Sequence, residues 1–323
     1  MTKKEVLKRL AELQGLAEKH NLDITEEIKQ LEAKLSNGKS SLDAAWKKVE
    51  LARQTDRPTT LDYIDMIFDE FIELHGDRFF SDDPAMVGGI GLLNGKPVTI
   101  IGQQRGRNLK ENLLRNAGMA LPDGYRKALR LVKQAQKFGR PVVSFVDTQG
   151  AYPGVASEER GIGEAIAHNL KEFFGIKVPI VVILIGQGGS GGALGIGIGD
   201  VVFMLENAIY SVISPEGCAS ILLRDSSKAK YAASIMKLTA RDLLQFDVID
   251  TIISEPPGGA HLNPEVTAAK IKLELVKVLG KLATKAPEQL LKLRYEKYRA
   301  MGVFIEKSSK KKVGFFKRLL KKQ

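Results

Sequence analysis

The sequence predicts an α/β protein built on a parallel sheet, and two observations carry that fold class. Residues 142–146 and 179–185 are apolar, mostly β-branched runs of strand length, suited to strands buried on both faces. Each run empties into a glycine turn, at Gly150-Ala151 and at Gly188-Gly189, and each turn leads into a helical pattern. The unit recurs 38 positions on (Gly150 to Gly188), the spacing of strand–helix–strand units with right-handed crossovers. Such a sheet delivers both turns to one edge.

The elements follow in chain order. Val6, Leu10, Leu13 and Ala17 stand at helical spacing, and Ile24, Ile28, Leu31 and Leu35 continue the period as far as Asn37-Gly38. Ser40 or Ser41 caps a third helix with Leu42, Ala45, Val49 and Ala52 on one face. A helical N-terminal extension over 1–56 is therefore expected. It is either packed on the main domain or a partner-binding arm, and the residues favour neither.

Arg57-Pro58-Thr59-Thr60 marks the boundary of a main domain over 57–300. Residues 61–74 read as a helix capped by Thr60. The apolar runs 86–93 and 97–102 flank Asn94-Gly95, a strong hairpin signal. The second run ends in Gln103-Gln104-Arg105-Gly106-Arg107, a basic loop suited to a phosphate or carboxylate, or to a solvated turn.

Ala128, Leu131, Val132, Ala135 and Phe138 share one stripe of a helix over 123–138, closed by Gly139 and Pro141. A second helix is expected from Ser157 to Phe174. Further strands are expected at 201–205, 208–212 and 248–253. Ser214 and Thr239 are expected to cap short helices, and helices over 264–282 and 287–300 close the domain.

The net charge of +11 belongs mostly to a tail over 301–323. Eight basic residues and no acidic one lie between Lys307 and Gln323, leaving +3 for everything else. That argues against a nucleic-acid-binding core. No apolar run is long enough to span a membrane, and the charged start of the chain lacks a signal core. With the single cysteine, Cys218, an internal disulfide or a cysteine zinc cluster is excluded, and a reducing cytoplasm is the simplest setting.

From Gly186 to Ala193 no side chain is larger than Ser or Gln. What this stretch offers is bare backbone. With a helix starting near Ser190, its N–H groups converge on one point with the helix dipole behind them. That suits either a bound anion or an oxyanion formed during a reaction.

Gly186-x-Gly188-x-x-Gly191 also satisfies the dinucleotide fingerprint, with Glu206 twenty positions on as a ribose acid. A dinucleotide-binding oxidoreductase is thus the alternative reading. Against it, Gly192, Gly195, Gly197 and Gly199 make the following helix unusually thin and weak. A thin helix suits a place where something must approach its backbone, or where another helix packs closely. No Gly-Lys-Ser/Thr closes a P-loop. Ser190 within Gly188-Gly-Ser-Gly-Gly192 has no evident histidine partner, and the four histidines are scattered.

Several motifs together resemble one family. They are Asp147-Thr-Gln-Gly-Ala-Tyr-Pro-Gly154, Glu158-Glu-Arg-Gly161, Gly186-Gln-Gly-Gly-Ser-Gly-Gly-Ala193 and Tyr210-Ser-Val-Ile-Ser-Pro-Glu-Gly-Cys-Ala-Ser220. With Gly124-Tyr-Arg-Lys-Ala128 and Arg105-Gly-Arg107, they resemble the alpha subunits of bacterial acetyl-CoA carboxylase carboxyltransferases, in order and over nearly the whole chain. Gln149 stands where the family often has Pro, and Gln103-Gln104-Arg105 replaces a more usual His-Gln-Lys. Neither change removes a backbone donor.

The resemblance implies a crotonase-like (ClpP/crotonase) fold of repeated ββα units, with the helical extension and C-terminal helices added. It implies carboxyl transfer from carboxybiotin, held in trans on a biotin carboxyl carrier protein, to acetyl-CoA, giving malonyl-CoA for fatty acid biosynthesis. A beta subunit would complete the site in an α2β2 assembly and carry the zinc, and biotin carboxylase would belong to the same system.

On that resemblance Gly188 and Gly189 form an oxyanion hole for the ureido oxygen, and Gly150 and Ala151 are a second donor pair. Tyr152, Gly154, Gly191 and Gly192 line the substrate, and Arg105 and Arg160 are candidate anion or interface contacts. The glycines past Gly191 read as a backbone wall that biotin and the partner approach closely. No side-chain base is required, which fits the absence of an evident one.

Overall fold

The structure, a computed structural model, describes residues 43–302; the first two expected helices and the basic tail lie outside them. The described part of the extension is α1, residues 43–53. Its Val49 and Ala52 are buried with Ile209, Ala233 and Leu238, so this part packs on the main body.

Eight strands form one sheet: β1 (Glu70–Glu73), β2 (Met86–Leu93), β3 (Lys96–Gln103), β4 (Val142–Thr148), β5 (Ile180–Gly189), β6 (Val201–Leu205), β7 (Ile209–Ser211) and β8 (Thr251–Ile253). The order is β1-β2-β3-β4-β5-β6-β8, with β7 paired to β5. The first three strands are antiparallel, and from β3 onward every pairing is parallel. The β2–β3 turn is the expected Asn94-Gly95, with φ of 49° and 71°, the conformation a tight hairpin requires. Every residue of β4 is buried, as is β5 through Gly188, which explains their unbroken apolar runs.

The helices are α2 (Thr60–Ile67), α3 (Leu109–Leu114), α4 (Pro122–Lys137), α5 (Val155–Glu159), α6 (Ile162–Phe174) and α7 (Ser190–Gly197). After them come α8 (Pro215–Leu223), α9 (Ala229–Met236), α10 (Ala240–Gln245), α11 (Pro264–Leu282) and α12 (Pro287–Ala300). α4 packs on β2 and β3, α7 packs on β4 and β5, and α6 contacts both helices. Ser214 and Thr239 cap α8 and α10 as their positions predict.

Three expectations are corrected. The helix expected over 61–74 ends at Ile67, and Glu70–Glu73 is an edge strand on β2. Phe71 and Ile72 fit either period, and pairing with β2 decides the outcome. The helix expected over 157–174 is two, broken at Gly161, whose φ of 77° no right-handed helix accommodates. β5 does not stop at Ile185 but runs to Gly189, because β7 pairs with Gln187, Gly188 and Gly189. Helices α3 and α9 have no counterpart in the sequence reading.

Candidate active site at the two glycine turns

The turns after β4 and β5 meet backbone on backbone. A Cβ at Gly189 would lie 2.0 Å from the carbonyl oxygen of Gln149, and one at Gly192 would lie 2.4 Å from the nitrogen of Ala151. Only glycine fits at either position. The two turns therefore form one wall rather than two neighbouring sites.

Gly189 is the N-cap of α7 and offers no side chain to cap it. Ser190 follows directly on the Gly189–Ser211 pair of the β5–β7 ladder, and the N–H groups of Gly191 and Gly192, in the first turn of α7, have no intrahelical partner. Across from them, the Ala151 N–H is also without a partner among the described residues. Ser190 itself is exposed at φ 49°, a costly conformation for a residue with a side chain. Three donors and a helix N-terminus thus surround a place where negative charge is welcome.

Buried polar side chains hold this wall. The Asp147 carboxylate accepts from the Gln187 N–H at 2.8 Å and from Arg105 Nε at 2.6 Å. Asp147's own N–H donates to Gln103 Oε1 at 3.2 Å, and Gln103 Nε2 donates to the Gly192 carbonyl at 2.8 Å. The Tyr125 hydroxyl donates to the same carbonyl at 3.0 Å. Burial pushes that hydroxyl's pKa up, so it stays protonated and a donor.

A profile of the family described as acetyl co-enzyme A carboxylase carboxyltransferase-like matches residues 2–302. The chain belongs to this family. The acetyl-coenzyme A carboxylase carboxyl transferase subunit alpha of Treponema denticola is 58% identical over 306 residues, covering 95% of this chain and 100% of that protein. Its counterpart from Staphylococcus haemolyticus is 55% identical over 306 residues, covering 94% and 97%.

Among solved structures, transcarboxylase 12S with methylmalonyl-coenzyme A and methylmalonic acid bound has a TM-score of 0.58 at 20% identity. The match covers 71% of this chain and 42% of that one, so this chain spans less than half of the transcarboxylase chain. That likeness is one of fold, the crotonase-like α/β architecture of carboxyltransferases.

For this carboxyltransferase-family chain the expected residues fall into three groups. Ala151, Gly191 and Gly192 sit in the wall with free donors. Gly188 does not begin the helix. It is sheet, between Thr148 and Tyr210, and the free donors start after Gly189. The Gly150 N–H is spent on the Thr148 hydroxyl at 3.2 Å, leaving Ala151 as the donor of that turn. Tyr152 is half-buried, with its ring against Gly154.

The two arginines are engaged inside the protein. Arg105 is buried on Asp147. Arg160 Nη1 donates to Asp123 at 2.6 Å, and its guanidinium lies 4.7 Å from the Phe80 ring centroid. Nor are all the surplus glycines a surface for partners. Gly192 admits the Gly150 turn and Gly195 admits the Tyr125 ring, so the thin helix serves internal packing.

The dinucleotide alternative fails on the same geometry. Gly186–Gly189 is strand rather than phosphate loop, and Glu206 faces Lys48 at 3.7 Å. Among the described residues no group of three or more His, Cys, Asp or Glu is placed to hold a metal, and no helix is long and apolar enough to cross a membrane. Sequence reading missed Gln103, Asp147 and Tyr125 as supports of the site. The signal for the first two was a polar side chain at the end of a buried strand.

Proposed function

We propose that this chain is the alpha half of a carboxyltransferase that passes a carboxyl group from carboxybiotin, carried on a separate protein, to acetyl-CoA. The observation that carries the reading is the pair of first-turn N–H groups at Gly191 and Gly192 opposite the unpartnered N–H of Ala151. Family membership supplies the reaction class.

When bound, biotin supplies the carboxyl group and takes up negative charge on its ureido oxygen as the group leaves. The donors of α7 and Ala151 bind that oxygen more tightly as the charge grows, which is the condition for lowering a barrier. They are fixed by the fold and need no reorganisation during the reaction. Losing one such donor typically costs about 3 kcal/mol of barrier. Gly188 and Gly189 deliver the helix start and shape the wall, and Tyr152 and Gly154 line the approach beside it.

The acyl-CoA half of the site and the zinc belong to a beta subunit in an α2β2 assembly. The biotin carboxyl carrier protein and biotin carboxylase complete the system. The extension over 1–56 and the tail over 301–323 flank the catalytic domain, 57–300.

The test mixes the purified chain with its beta partner, a free biotin derivative and malonyl-CoA, and follows decarboxylation of malonyl-CoA. Turnover that needs both chains and biotin is expected. Inactivity of the pair, together with saturable NAD binding by this chain alone, would overturn the reading.

A further inference from the structure

We infer that Gln103 is a positioning residue for the carboxyltransferase reaction: its buried amide sets the donors of α7 against Ala151. The inference rests on the oxyanion reading above and extends it to a residue that touches no substrate.

The turn between β5 and α7 is tied at both ends to one residue of β4. On the strand side, Gln187 N–H donates to the Asp147 carboxylate at 2.8 Å. On the helix side the tie is indirect. Asp147 N–H donates to Gln103 Oε1 at 3.2 Å, and Gln103 Nε2 donates to the Gly192 carbonyl at 2.8 Å. Residues 188–191 are therefore bracketed by two crossties, and Gln103 is the whole of the second. It is fully buried at the end of β3.

Gly192 is also the residue whose backbone lies against Gly150 and Ala151. Moving its carbonyl moves the free N–H groups of α7 relative to that of Ala151. A misplacement of about 1 Å costs on the order of 100-fold in rate when reacting groups must be aligned. Tyr125 supports the same carbonyl from α4 but makes no bond to β4, so it steadies Gly192 without relating it to the other turn.

The crosstie requires one acceptor and one donor on a single side chain. A neutral imidazole provides both, one on each ring nitrogen, whereas a protonated one provides two donors and no acceptor for the Asp147 N–H.

The experiment uses the chain assembled with its beta partner and measures carboxyl transfer between malonyl-CoA and a free biotin derivative. Gln103→Leu is expected to lower kcat about 10-fold or more with KM for both substrates within about twofold, the split expected of misaligned donors. Gln103→His is expected to restore most of the rate near pH 8 and to lose it at acid pH as the imidazole takes up a second proton, an acid limb added to the wild-type profile. Wild-type kcat in Gln103→Leu, or no added acid limb in Gln103→His, would overturn the inference.

If Gln103→Leu fails to fold, the histidine profile decides alone. Amide hydrogen exchange in the assembled complex reads the crosstie without turnover. Exchange over 188–192 is expected to quicken in Gln103→Leu while β4 upstream is unchanged, and an unchanged rate there would overturn it. An inactive wild-type complex would overturn the functional reading instead, with exchange still deciding the crosstie.

Discussion

Gly189 stands against Gln149 so closely that a Cβ at position 189 would lie 2.0 Å from the Gln149 carbonyl oxygen. Two turns that are 38 positions apart in the chain, Gly150 to Gly188, are thus in backbone contact. The site they form is built from main chain held by buried side chains, so its geometry does not depend on exposed rotamers.

Gly189→Ala must push the Gln149 turn away, and Gly191→Ala need not push anything. The nearest atoms to a Cβ at Gly191 are those of Ile166 at 3.8 Å, ordinary contact. Gly189→Ala is expected to lose carboxyl transfer by more than about 100-fold and to lower the melting temperature. Gly191→Ala is expected to keep or raise stability, by up to about 1 kcal/mol from reduced chain entropy, while its methyl group obstructs the donors and slows turnover. Thermal melts and turnover of both variants check the pair, and equal behaviour would contradict the geometry.

Arg105 looks like an anion contact in sequence and is a buried counter-ion in the structure. Its Nε lies 2.6 Å from Asp147 Oδ2, and the two side chains are 9% and 1% exposed. Removing one partner of such a pair leaves a buried charge uncompensated. Arg105→Ala is therefore expected to destabilise the chain by about 3–5 kcal/mol. Urea denaturation measures it. A stable variant with a raised KM would return Arg105 to the substrate.

The fold class was legible because β4 and β5 are buried on both faces and their runs are unbroken. The long helices α11 and α12 were legible from period and from Pro264 and Pro287 at their first turns. What sequence could not supply was pairing. β1 and the extra length of β5 exist because β2 and β7 lie beside them. The site was legible as a glycine stretch, since only backbone remained to do chemistry. Gly188 and Gly189 read as turn but pair as strand, so the helix start lies beyond both. Arg105 and Arg160 pair with Asp147 and Asp123, and a basic residue near a site looks the same in sequence whether it faces a substrate or a buried carboxylate.

Asp83 predicts a pH dependence of stability. Its carboxyl group is fully buried, and accepts from the Ala85 N–H at 2.9 Å and the Leu121 N–H at 2.7 Å. Burial pushes its pKa up to about 6 from an ordinary 3.8, against the pull of those two bonds and of Lys127. The folded state thus holds the proton more tightly than the unfolded chain. Its stabilising effect is complete below about pH 4 and is lost as pH rises through about 6, a change on the order of 3 kcal/mol. Asp83→Asn cannot titrate. Urea denaturation between pH 4 and pH 7.5 should show the wild type losing stability relative to Asp83→Asn across that window, and parallel profiles would refute the assignment.

Arg57 was read as part of a domain boundary, and it is one of the most buried side chains in the described chain. Its Nη1 and Nη2 donate to Glu255 at 2.8 and 2.7 Å, and its Nε and Nη2 donate to the Ile185 carbonyl, one residue before the glycine stretch. Burial pushes the Glu255 carboxyl up, and the bonds and charge of Arg57 together with the bonds from Asn207 more than reverse this. The two partners are not equally dependent on each other. Without Arg57, Glu255 still accepts from the Asn207 N–H, from Asn207 Nδ2 and from the Ala260 N–H. Without Glu255, Arg57 keeps one carbonyl and a buried positive charge. Glu255→Ala is therefore expected to cost about 3–5 kcal/mol, Arg57→Met less, and Arg57→Met with Glu255→Gln less than the two single losses added. Urea denaturation of the four proteins closes the cycle. A larger loss in Arg57→Met than in Glu255→Ala would show that the bond to Ile185, rather than the ion pair, is what the arginine is there to make.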